Sequence, residues 1–158
     1  MVYKVNPDSF GFLVTDVARL IRAEMDRRIG EAGLGLTPAE GRTLSHAARA
    51  GVVRQNVLAE RMGVEAMTLS AALDRLEAQG LVERQPDPTD RRAKLVHVTE
   101  KAGEMLERMA PISASIRADA SLGITPQDWD RLLDLLKTVR ATLSAAKSEP
   151  GAREAASG

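Results

Sequence analysis

Two short helical patterns separated at a glycine constrain the fold of this chain more than any other sequence feature. The first pattern begins at Gln55 and stops at Gly63, and after Val64 and Glu65 a second pattern places Leu69 and later leucines at helical spacing. Glycine commonly ends a helix because it adopts the left-handed conformation without strain. Helices joined by so short a turn predict a helix-turn-helix unit, whose second helix can enter a major groove.

The hydrophobic period changes directly after this unit. Residues 81–84 are predicted to form a β-strand, residues 86–90 are rich in turn formers, and residues 95–99 are predicted to form a returning strand. A hairpin in this position is the wing of a winged helix-turn-helix, which we predict over residues 37–99 in a mainly α fold. Three basic residues follow its tip and are predicted to contact DNA: Arg91, Arg92 and Lys94.

Long amphipathic helices are predicted on both sides of the winged unit. Apolar residues recur at spacings of three and four from Phe10 to Ile29, and a further helical region extends over residues 100–147. Thr37-Pro38-Ala39-Glu40 is typical of a capping box at a helix start, and Thr125-Pro126 marks another start.

The apolar stripes on these flanking helices predict an interface. A winged unit of about 65 residues is too small to cover all of them, so we expect residues 10–33 and 100–147 to form a dimerisation region of a homodimer. The alternative is that these helices pack on each other within one chain. Residues 148–158, rich in small and polar residues, are predicted to be a disordered tail.

Composition and motifs exclude several classes of protein. The chain of 158 residues has no cysteine, so it forms neither disulfides nor thiolate metal sites. No apolar run is long enough for a membrane span and no secretory signal is visible, which predicts a cytoplasmic protein. No nucleophile–base pair, phosphate loop or metal-ligand cluster is recognisable, so we predict neither an enzyme, nor a cofactor, nor a bound metal.

Charge argues against a simple nucleic-acid interpretation. The 22 basic residues equal the 22 acidic residues, so any attraction to DNA must be local. A winged-helix module that binds other proteins and not DNA therefore remains the alternative function. A basic wing favours DNA, whereas the neutral balance favours the protein-interaction module.

The stretches Leu76–Arg84 and Asp90–Thr99 resemble the MarR (multiple antibiotic resistance regulator) family. The wing pattern Asp-x-Arg before an apolar strand ending in threonine carries this resemblance, and Ala93-Lys94 is most similar to the SlyA-like branch. The resemblance extends from Phe10 to about Lys147. It implies a homodimeric transcriptional repressor on pseudo-palindromic duplex DNA, often released by a small anionic aromatic effector.

The resemblance also assigns roles to residues of this chain. It implies that Arg92 enters the minor groove and that Asp90 holds the arginines of the wing. It places Gln55 against a phosphate, and Thr68 and Ser70 on the recognition helix, where hydroxyl groups meet base edges or phosphates. His46 lies where effector pockets form in this family, so we expect it to contact a ligand.

The chain departs from the family pattern on its recognition helix. Ala71 stands where family members often have arginine, and Glu65 stands where they often have a serine or threonine cap. The helix thus lacks an arginine that would bond guanine at two points. Specificity is expected to rest on DNA shape, on the wing, and on thymine methyl contacts from Ala66, Met67 and Ala71.

Overall fold

The computed structural model describes residues 3–148, and within them the chain forms six α-helices and one antiparallel sheet of three short strands. This architecture is the predicted winged helix-turn-helix with flanking helices. The elements are α1 Phe10–Glu31, α2 Pro38–Ala50, β1 Val53–Arg54, α3 Gln55–Met62, α4 Ala66–Ala78, β2 Val82–Asp87, β3 Asp90–Val98, α5 Ala102–Ala120 and α6 Pro126–Ser148.

Local signals determine where the helices begin and end. The capping box at α2 is formed: the Glu40 amide donates to Thr37 Oγ1 at 3.2 Å, and the Thr37 amide donates to the Glu40 carboxylate at 3.0 Å. Helix α3 ends at Gly63, whose φ of 64° lies in the left-handed region. The turn before α4 therefore needs glycine, because other residues are strained in that conformation.

The wing differs from its prediction in two respects. Its strands extend further toward the tip, since β2 includes Pro86 and Asp87, which were expected to be part of the turn. The strand order is β1-β3-β2, so β2 is an edge strand. Proline is tolerated there because an edge strand can dispense with one amide donor. The second difference is β1, which pairs with β3 and was not predicted.

The chain divides into a first compact unit that runs to Ile116 and a second that begins at Arg117. The first unit has a core of buried aliphatic side chains. The inner end of α1 belongs to it, because Ile29 is buried and lies so close to Gly41 of α2 that any larger residue there would collide with it. The largest fully buried side chains include Leu44, Leu58, Leu69, Leu73, Leu76, Val82 and Val96.

Helix α6 dominates the described part of the second unit. None of its residues is buried, and its leucines are exposed. The helix continues to Ser148, where the tail was expected to begin; the rest of that predicted tail lies outside the described residues. Within residues 3–148, no helix combines the length and apolar character that a membrane crossing requires.

Candidate nucleic-acid interface

The first half of α4 presents a small, uncharged face to solvent. Its inner side is anchored by Leu69, Leu73 and Leu76, which are buried in the core of the first unit. The predicted contact residues lie on the opposite side. Met67, Thr68 and Ala71 are exposed, whereas Ser70 is half-buried.

The charged residues of α4 are engaged by neighbouring elements. Arg75 Nε lies 2.7 Å from Glu40 Oε1, and Glu40 is buried at the start of α2. Asp74 forms an ion pair with Arg84 on β2. These pairs fix α4 against α2 and the sheet, and they engage Arg75, the cation of this helix, although more than half of its side chain is exposed.

The wing carries the exposed cations. Arg91, Arg92 and Lys94 on β3 are exposed, and 94% of the Arg92 side chain is accessible. Asp90 accepts a hydrogen bond from the Arg92 amide at 3.0 Å and lies 3.5 Å from its guanidinium. Asp90 thus shapes the chain at the start of β3 and orients the Arg92 side chain.

A groove of about 390 Å³ separates the wing from the starts of α3 and α4. It brings together five predicted residues from α3, α4 and the wing, while Arg91 and the remaining predicted residues of α4 lie outside its lining. The groove is lined by Arg54, Gln55, Asn56, Ala66, Asp90, Arg92, Ala93 and Lys94. Guanidinium, ammonium and amide groups around one open groove suit an anionic backbone.

Sequence reasoning missed the residue that ties the wing to the helices. Arg54, immediately before α3, donates from Nε to Asp87 Oδ2 at 2.6 Å and from Nη2 to Thr89 Oγ1 at 3.1 Å. The Thr89 amide and hydroxyl both donate to Asp87 Oδ1, at 2.8 and 2.7 Å. These bonds from Thr89, followed by Arg54, lower the pKa of Asp87. The Asp-Pro-Thr turn was visible in the sequence, but its partner was not.

A second cavity, of about 570 Å³, is lined by α1, α2 and the end of α3, and its lining includes the predicted ligand contact His46. Arg42 at its edge is held by Asp26 of α1 at 2.6 Å. Partial burial lowers the pKa of His46, and nearby guanidinium groups, led by that of Arg49, lower it further. The lining residues are Ala18, Arg19, Ile21, Arg22, Met25, Arg42, Ser45, His46 and Met62.

Comparison with known proteins places these features in context. The model of the MarR family matches residues 34–93, which extend from before α2 through β2 to the start of β3. The solved structure of transcriptional regulator PA3341 is 38% identical, with 87% of this chain and 99% of that chain covered and a TM-score of 0.69.

Two further solved structures have the same fold. A MarR-family transcriptional regulator from Silicibacter pomeroyi is 28% identical, covering 84% of this chain and 88% of its own, with a TM-score of 0.69. Wild-type MarR from E. coli in its apo form is 24% identical, covering 87% and 98%, with a TM-score of 0.67. The last likeness concerns the fold alone.

Proposed function

The chain belongs to the MarR family of transcriptional regulators, and from this premise we propose that it is a dimeric, ligand-responsive repressor of transcription. In this proposal α4 enters the major groove of a pseudo-palindromic operator and the wing enters the minor groove. DNA contacts come from Gln55, Met67, Thr68, Ser70, Ala71, Arg91, Arg92 and Lys94.

The groove between the wing and the start of α3 is the main support for the proposed DNA contacts. The chain has no net charge, so non-specific attraction must come from a local concentration of cations. Arg92 and Lys94 line the groove from the wing, and Arg54 lines it from the helical side. A phosphate of the duplex in this groove would meet Arg92 and Lys94 on the wing side and, on the helical side, an Arg54 guanidinium that also bonds Asp87.

Dimerisation is supported by apolar faces that the single chain leaves open. On α1, Leu13, Val17 and Ile21 are exposed at helical spacing, and on α6 the same holds for Leu132 and Leu136. Large exposed apolar faces on long helices usually mark an interface. We assign this role to residues 10–33 and 100–147, with a second copy of the chain as the partner.

Selection of genomic fragments by the purified protein tests this function. We expect recovery of related fragments carrying two half-sites about one helical turn apart, with affinity that falls steeply as salt rises. Transcription of the adjacent genes should rise in a deletion strain if the protein represses. Recovery of unrelated fragments with negligible affinity at moderate salt would instead favour the protein-interaction module.

Ligand response is assigned to the cavity beside His46. Its walls are largely aliphatic, and Arg22 and Arg42 bring guanidinium groups to it from α1 and α2. This combination fits a small aromatic ring that carries a carboxylate. Such an anion would compete with Asp26 for Arg42, the residue that links α1 to α2, and would thereby alter the geometry of the dimer.

Benzoate binding should strengthen as the pH falls from about 8 to about 6. The pKa of His46 is lowered in the free protein, so the imidazole is neutral at pH 8, and a bound anion favours its protonated form. Benzoate stays ionised over this range because its carboxyl pKa is about 4. Calorimetric titration at several pH values should show affinity rising about threefold to tenfold.

Two controls make this prediction specific. Benzamide has the same shape without the charge and should bind weakly at every pH. His46→Gln should remove the pH dependence, whereas His97→Gln, on β3 and outside the cavity lining, should retain it. Equal binding of benzoate and benzamide would refute the anionic character of the ligand.

A further inference from the structure

We propose that α4 recognises thymine through its methyl group, with Met67 as the residue that determines specificity. This inference rests on the proposed DNA-binding function and deepens it by naming the base-edge chemistry that the helix reads. The juxtaposition that carries it is an exposed thioether side chain in the first turn of α4, one helical turn before Ala71, on a face whose cation, Arg75, is bonded to Glu40.

Met67 is exposed to an unusual degree for its type. Its accessible fraction is 85%, the highest of any large hydrophobic side chain within residues 3–148. The core does not use it, since the buried side of α4 is provided by Leu69 and Leu73. An unbranched thioether adapts readily to the apolar surface of a partner, so the exposed position suits contact with a ligand.

The alternatives to an apolar contact are limited on this face. Reading guanine at two points requires an arginine or lysine. Arg75 is partly exposed, but its Nε is bonded to the buried carboxylate of Glu40, which holds the guanidinium toward α2. The hydroxyl groups of Thr68 and Ser70 can donate or accept, so they discriminate weakly between bases. Glu65 precedes the helix and could accept a bond only from a donor such as the cytosine amino group.

The C5-methyl group of thymine is the apolar group that a base pair shows in the major groove. Residues four apart lie one above the other on a helix, about 6 Å along its axis. Met67 and Ala71 therefore form one narrow apolar strip, and Ala66 lies about 100° around the helix from Met67. A contact with Met67 would remove both the thymine methyl group and the Met67 side chain from water.

Deoxyuridine substitution tests this contact because it removes the methyl group and preserves every hydrogen-bonding group of thymine. One thymine position is tested at a time, and in each test the equivalent thymines of both half-sites of the selected operator are replaced together. We expect one or two positions at which the parent protein loses about fourfold affinity per half-site, the loss typical of one buried methylene group. Met67→Ala should bind weakly and be insensitive to deoxyuridine there, whereas Met67→Leu should keep the sensitivity.

The outcomes separate this inference from the proposed function. If specific, salt-dependent binding persists but no thymine position responds to deoxyuridine, the methyl contact is wrong and the regulator function stands. If Met67→Ala loses the same affinity but remains as sensitive as the parent, another residue reads the methyl group. A requirement for cytosine that Glu65→Gln abolishes would assign recognition to Glu65. If the protein binds no DNA duplex, both the methyl contact and the proposed regulator function are wrong.

Discussion

Arg92→Ala should weaken binding to both operator and random DNA by at least about one hundredfold at moderate salt. A dimer loses two charged contacts, and hydrogen bonds to charged groups contribute about 1.5–3 kcal/mol each. The slope of log affinity against log salt should decrease in magnitude by about 2, since each neutralised phosphate contributes about 0.9. Titrations of each DNA at several salt concentrations measure both quantities.

Two further variants test whether the loss of affinity depends on where the cation lies. Arg108→Ala removes another exposed arginine, on α5 and outside the groove lining, and should leave the slope unchanged. Ala71→Arg adds a cation to the exposed face of α4 and should steepen the slope, raising non-specific affinity more than specific affinity. Folding should be unaffected in all three variants, because these side chains are exposed.

The result that would contradict this prediction is simple. If Arg92→Ala binds both DNA fragments as tightly as the parent protein, the wing does not anchor the duplex. The groove between the wing and α3 would then have another occupant, and the protein-interaction module would become the better interpretation. The neutral charge balance of the chain would agree with that outcome.

Leu136→Glu should convert the protein to a monomer at micromolar concentration. The substitution places a carboxylate on the exposed apolar face of α6, where an unpaired buried charge in the proposed interface costs about 3–5 kcal/mol. Because a two-fold interface contains the substitution twice, the dissociation constant of the dimer should rise at least about a thousandfold. Sedimentation equilibrium measures this shift, and operator binding should be lost in parallel.

Thr138→Glu provides the matched control. It introduces the same charge on α6, about 160° around the helix from Leu136 by the helical period, at another exposed position. The control should remain a dimer, and Val17→Glu on α1 should dissociate like Leu136→Glu. A stable dimer for both Val17→Glu and Leu136→Glu would show that these apolar faces do not form the interface.

The sequence predicted the elements whose signals are local. Glycine at position 63, the capping box at Thr37 and Glu40, and the leucine spacing of α4 each act over a few residues. Their consequences are visible without knowledge of the fold: α3 was predicted from Gln55 to Met62 and has those bounds. The wing was recognised for the same reason, since its two strands adjoin one turn.

The errors in the wing arose where pairing overrides local preference. Pro86 resembles a turn residue, but its position at the edge of the sheet lets β2 continue through it to Asp87. The strand β1 contains two residues, too few to show a period, and it exists because Val53 pairs with Val96 across the sheet.

The sequence by itself determined the order of helices, the hinge at Gly63 and the basic character of the wing, because helix capping and periodicity depend on near neighbours. The tertiary structure decided which distant groups meet. Arg54 reaches Asp87 across 33 residues, Arg75 reaches the buried carboxylate of Glu40, and His46 shares its cavity with arginines of α1. The physical reason is that these contacts follow from the packing of α1, α2, α3, α4 and the sheet around one core, which no short stretch of sequence encodes.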